Sequence, residues 1–153
     1  MSDDGQYWII GSWDNAFIVS NDYGMTFTHG IPSNSQVQID PVTCSSTGQY
    51  MAALDSVYHT GIYVSTNYGV TFTLKAASES WISNAKGLSF SGDGSLLYVS
   101  DTGYGYNYLS RNQGNTWNQS GWVNNWSGVL KVSGDGHTIV VTDSSQDVYI
   151  GKA

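Results

Sequence analysis

The sequence predicts an all-β fold built from a repeated hairpin unit, and three observations carry that prediction. The chain holds 18 Gly, 11 Tyr and 6 Trp, with Glu79 as its single Glu. Ala, Leu and Lys are scarce, so helix-forming residues are missing and strand- and turn-forming residues dominate. A gap-free segment recurs from Ser20, Ser65 and Ser110, at a spacing of 45 residues. A second turn signal precedes each copy, at Asp4-Gly5, Thr47-Gly48 and Asp93-Gly94, and returns at Asp135-Gly136.

The elements follow in order. Each Gly turn is followed by an apolar run, Tyr7–Ile10, Tyr50–Leu54, Leu96–Val99 and Thr138–Val141, expected as strand B of each repeat. A second run follows each, Ala16–Val19, Gly61–Val64, Tyr106–Leu109 and Asp147–Ile150, expected as strand C. The recurring segment, or box, reads S-x-(D/N)-x-G-x-T-(F/W). Its fixed residues are Ser20, Asp22, Gly24, Thr26 and Phe27, then Ser65, Asn67, Gly69, Thr71 and Phe72, then Ser110, Asn112, Gly114, Thr116 and Trp117. Gly at the tight position accepts positive φ, and the Asp or Asn side chain serves the backbone N–H groups of its own turn. Strand D is expected over Met25–His29, Val70–Lys75 and Asn115–Gln119, and strand A near Val37–Cys44, Gly87–Phe90 and Val129–Val132. Four short strands in about 45 residues are what one β-propeller blade requires. The repeats fall at approximately 2–36, 37–80, 81–125 and 126–153, with strand order BCD, ABCD, ABCD, ABC. That is about three and a half repeats, too few to close a ring with every blade complete. Association with other copies, as a homodimer or other closed homo-oligomer, is favoured over a segment of a longer chain or pairing of the two termini.

Composition narrows the function. With 153 residues the chain supports one domain. Five Lys+Arg against 12 Asp+Glu give a net charge of −7, which disfavours nucleic acid and anionic membrane as partners. No apolar stretch approaches the length of a membrane-spanning helix. Cys44 is alone, so an intrachain disulfide and multi-cysteine metal sites are excluded. The histidines His29, His59 and His137 lack metal-ligand spacing, and no phosphate-binding glycine loop or nucleophile elbow is present. No metal and no cofactor is expected. The opening Met1-Ser2-Asp3-Asp4-Gly5 does not read as a signal peptide. The composition suits an extracellular or surface setting without fixing one.

The three boxes resemble the Asp-box of bacterial-neuraminidase-type (BNR-like) repeats, whose pattern is S-x-D-x-G-x-T-W. Three copies in register, each with a matching upstream turn, extend the resemblance over nearly the whole chain. Asn67 and Asn112 replace Asp, and Phe27 and Phe72 replace Trp, which keeps the turn chemistry. The resemblance implies a propeller and raises sialidase activity. Sialidases hold the substrate carboxylate with three arginines, however, and Arg111 is the single arginine here. Other propellers of this family hydrolyse glucans with two Asp residues.

Strand order puts the Gly turns and boxes on one rim and the longer irregular loops on the other. The loops expected at Ser12–Asn15, Ser56–Thr60, Thr102–Gly105, Ala76–Lys86 and Ser120–Ser127 carry Trp13, Asp14, Tyr58, His59, Trp81, Tyr104 and Trp122. Asp55, Asp101 and Asp143 stand seven residues after their turn glycines, as Ser12 does in the first repeat. Read plainly, these carboxylates cap their own turns, and Trp81 and Trp122 anchor loops. Read functionally, the rings and carboxylates form a surface for neutral carbohydrate. Tyr23 and Tyr68, inside the boxes, are read as turn surface. The expected function is a non-enzymatic, lectin-like glycan-binding module. The alternatives are a structural or protein-interaction unit that assembles through its blades, and an Asp-dependent glycoside hydrolase.

Overall fold

A computed structural model describes residues 1–12, 16–31, 37–103, 105–122, 126–143 and 147–152, with residues 121, 122, 126–129 and 143 described in backbone only. Fourteen strands run through these residues: β1 (Trp8–Gly11), β2 (Phe17–Ser20), β3 (Thr28–His29), β4 (Ile39–Cys44), β5 (Met51–Asp55), β6 (Ile62–Ser65), β7 (Thr73–Lys75), β8 (Ala85–Phe90), β9 (Leu97–Asp101), β10 (Tyr106–Ser110), β11 (Asn118–Trp122), β12 (Trp126–Val132), β13 (Thr138–Asp143) and β14 (Val148–Lys152). They pair antiparallel in chain order into four sheets, β1–β3, β4–β7, β8–β11 and β12–β14. The leading strands stand side by side, β1 by β4, β4 by β8 and β8 by β12.

The core lies in the junctions between sheets, because side chains alternate between the two faces of each strand. Met51 and Ala53 of β5 pack against Ile9, Phe17 and Val19 of the first sheet. Ala52 and Leu54 of the same strand pack with Leu97 and Val99 of the third. Tyr98 and Leu109 then meet Leu130, Ile139 and Val141 of the fourth. The box rings plug the same seams. Phe72 sits edge-on to Phe17 at 4.6 Å, and Trp117 sits edge-on to Trp81 at 5.2 Å.

The Gly turns that precede β1, β5, β9 and β13 are held in the same way. The Tyr7, Tyr50, Leu96 and Thr138 N–H groups donate to the Oγ of Ser2, Ser45, Ser91 and Ser133 at 2.9–3.1 Å. Neighbouring turns are also linked through the residue after that serine. Asp3 N–H donates to the Ser46 carbonyl, Ser46 N–H to Gly92 and Gly92 N–H to Gly134, at 2.8–2.9 Å. Tyr7 lies over Gly48, Tyr50 over Gly94 and Leu96 over Gly136, leaving none of these glycines room for a Cβ.

In the first box, Thr26 donates its N–H and its hydroxyl to the Asp22 carboxylate at 2.8 and 2.6 Å, and Ser20 Oγ accepts from Gly24 N–H at 3.0 Å. The Asn boxes keep the backbone bond, with Thr71 and Thr116 N–H donating to Asn67 and Asn112 Oδ1 at 3.0 and 2.9 Å. The hydroxyl bond reverses, since Asn67 and Asn112 Nδ2 donate to the Thr Oγ1. Tyr23 and Tyr68 N–H groups reach the Gln6 and Gln49 carbonyls at 3.1 Å, which sets the boxes and the Gly turns on one rim.

These turns make stability fall in acid. The Thr26 hydroxyl, then its N–H, then the Ser20 hydroxyl bring the Asp22 pKa down to about 2. Serine hydroxyls and turn N–H groups lower Asp4, Asp93 and Asp135 in the same direction. A carboxylate whose folded pKa lies below its unfolded value of about 3.9 favours the folded state above that value. The contribution is lost as pH falls through the folded pKa. Melting temperature should therefore drop between about pH 4 and pH 2, and Asp22→Asn should make the drop shallower while keeping the turn. A scan of melting temperature against pH checks this, and an unchanged slope in the variant would count against it.

Three sequence expectations are corrected. The D strands start at Thr28, Thr73 and Asn118, three residues later than expected, because the box holds the chain in its turn through Thr and Phe/Trp. Trp122 and Ser127 fall in β11 and β12 and not in a loop. The expected loop Ala76–Lys86 folds into a 3-10 turn, Ser80–Asn84, and β8 begins at Ala85.

Candidate functional site

The loop rim opposite the boxes is where the sequence places binding residues. Asp55, Asp101 and Asp143 do end β5, β9 and β13 at one register position, opposite Ile39, Ala85 and Trp126. Asp55 is fully buried. Its Oδ1 accepts from the N–H groups of Gln38, Val57 and Tyr58, and its Oδ2 from the Thr60 N–H and hydroxyl, at 2.8–3.3 Å. Asp101 is also buried, and its Oδ1 accepts from Gly103 N–H at 2.6 Å. Both carboxylates thus organise their own turns, as the plain reading expects. Trp81 is not a surface ring. It is buried, stacked on Tyr108 at 4.4 Å and 13°, and its Nε1–H donates to Glu79 Oε2 at 3.2 Å.

Tyr58 remains 54% exposed on this rim. His59 follows it at φ 54°, half-buried, with Nδ1 enclosed and unpartnered. Trp13, Asp14 and Tyr104 lie outside the described residues, and Trp122 and Asp143 are placed by backbone alone.

The box rim carries concavities that the sequence reading passed over. A groove of about 260 Å³ lies between the first box and the Tyr68–Val70 turn, lined by Ser20, Asn21, Thr28, His29 and Tyr68. A second, of about 230 Å³, lies one repeat on and is lined by Thr66, Thr73, Lys75, Gln113 and Asn115. Val19, Asn21, Thr26, Thr28 and Tyr68 of the first correspond at 45 residues to Val64, Thr66, Thr71, Thr73 and Gln113 of the second. That spacing was the available signal.

Twisted antiparallel sheets joined in sequence by their leading strands define a β-propeller fold, and solved structures agree. The chain is similar to the β-propeller domain of Myceliophteria thermophila Cps50 (Swd1), with TM-score 0.74, 8% identity, and coverage of 99% of this chain and 49% of that one. It is similar to an ancestral GH74 enzyme, with TM-score 0.67, 13% identity, and coverage of 99% and 22%. It is also similar to the Niastella koreensis GH74 enzyme, with TM-score 0.64, 14% identity, and coverage of 94% and 22%. The chain therefore spans about half the length of the first and about a fifth of the two enzymes. No protein-family model and no curated protein sequence matches it.

Proposed function

We propose that the chain is an arc of an Asp-box-type propeller that closes its ring with a second copy, forming a non-enzymatic scaffold with irregular loops on one rim. The observation that carries this reading is that every periodic contact between sheets leaves one half unfilled at the first sheet and the matching half unfilled at the fourth. Ile10 takes the register position of Ala53, Val99 and Val141, which are buried, yet Ile10 is 39% exposed. Phe27 takes the position of Phe72 and Trp117 and is 41% exposed. On the fourth sheet, Val148 and Ile150 take the positions of buried Phe17 and Val19 and are 60% and 73% exposed. Nothing covers Gly5, unlike its three counterparts. Among the described residues, the Asp3 carbonyl and the Gly134 N–H make no link to a neighbouring turn. A head-to-tail second copy fills all of these at once. Coverage of 49% of a propeller domain supports two copies per ring.

The non-enzymatic part rests on the commitment of Asp55 and Asp101 to their own turns and on Arg111 being the single arginine. Light scattering should give twice 16.6 kDa. A monodisperse monomer would overturn the reading and leave adjoining repeats of a longer chain as the natural cover for these faces.

A second reading, glycan binding on the loop rim, is favoured by the exposed Tyr58 ring. Trp13→Ala with Tyr58→Ala should then abolish retention on an immobilised neutral polysaccharide without lowering the melting temperature. Undiminished retention would remove this reading.

A further inference from the structure

We propose that the groove between the first and second repeats on the box rim binds a neutral saccharide, with the Tyr68 ring as its platform. This goes beyond the scaffold reading and is independent of ring closure, because both walls belong to one chain. The Tyr68 ring is 40% exposed, yet it is fixed in place. Tyr7 packs against it at 4.8 Å, and its N–H is tied to the Gln49 carbonyl at 3.1 Å. A ring already held in place loses little entropy on binding.

Beside it, the side chains of Asn21, Thr28 and His29 line the groove. Among the described residues none of these three side chains has a hydrogen-bond partner, so donors and acceptors stand ready for hydroxyl groups. Among the described residues, no Lys, Arg, Asp or Glu lines this groove, in a chain of net charge −7. An apolar ring face beside uncharged polar groups suits a pyranose, whose C–H face covers the ring while its hydroxyls meet the polar rim. A volume of about 260 Å³ holds one or two sugar rings.

The second groove is a built-in control. Gln113 stands where Tyr68 does, which removes the platform. Lys75 Nζ donates to Asn115 Oδ1 at 2.7 Å, and this bond ties the two walls together. The equivalent positions in the first groove are Gly30 and Val70, which make no such strut. Two grooves of one ancestry thus differ in the features that make a sugar site, and the first alone has them.

The test is an amide-resolved NMR titration of the full chain with cellotriose, maltotriose and chitotriose, each to about ten millimolar, the range of single weak sites. One of the three should shift the amides of residues 19–21 and 68–70 and leave 113–115 unmoved. Tyr68→Gln installs the residue that the same turn already carries at Gln113, where φ is 53° against 60° at Tyr68, so the turn survives. It should weaken binding tenfold or more, with the melting temperature unchanged. The proposal is overturned if no member of the panel shifts the first groove, if both grooves respond alike, if shifts centre on Tyr58, or if Tyr68→Gln binds as well as the parent.

Discussion

A chain carrying Asp3→Cys and Gly134→Cys in a Cys44→Ser background should run as a covalent dimer after mild oxidation and return to 16.6 kDa on reduction. The expectation comes from the links already present within the chain. Where Ser46 and Gly92 are joined, the Ser46 Oγ lies 2.9 Å from the place a Cβ on Gly92 would take. Side chains at consecutive links therefore lie next to one another. A Cβ at position 134 meets nothing within 4 Å among the described residues of its own chain. The proposed head-to-tail closure would bring Asp3 of one copy to Gly134 of the other, twice per ring. Absence of cross-linking would sink closure by a second copy, and a ladder of longer polymers would sink closure at two.

Asp55→Ala should cost about 3 kcal/mol or more of stability in urea unfolding, because it strands buried backbone donors. The N–H groups of Gln38, Val57, Tyr58 and Thr60 all end on this one carboxylate. They tie β4, β5 and the loop after β5 into one corner, and water has no access to replace the lost acceptor. Asp55→Asn should fall between, since an amide oxygen serves one side of the cluster while its NH₂ faces the Thr60 donors. A variant with parental stability and altered ligand binding would reverse the assignment of this residue from turn organiser to contact.

The strand order was readable because turn chemistry is local. Gly at positive φ and a side-chain acceptor two or four residues away are written within eight letters, and all four sheets follow from them. The D strands were misplaced because Thr71 and Thr116 have strand-like identities but spend their N–H groups on the box. Trp81 was read as a loop ring because no local pattern announces that Tyr108 and Trp117, from the next repeat, enclose it. Asn107 is a similar case. It is buried at the position of Phe17 and Ile62, its Oδ1 unpartnered, and only the register against Ser100 reveals that this otherwise apolar junction holds buried polar side chains. The first groove hid for a related reason: its residues come from two repeats, and Tyr68 alone looks like any exposed turn residue.

The chain of links through Asp3, Ser46, Gly92 and Gly134 has a direction, and among the described residues it stops at the Asp3 carbonyl and the Gly134 N–H. Each joint is the same bond, donated the same way around the axis, and each is indifferent to how many follow. In a closed ring, circumference would be set elsewhere, by the thickness of what packs between the sheets. Ala52 and Ala53 put small side chains into the junctions on either side of β5, and the Trp81 and Tyr108 rings stack in the junction that Ala52 also faces. In the proposed ring, hydrogen bonding would supply the hoop and side-chain volume would decide its radius.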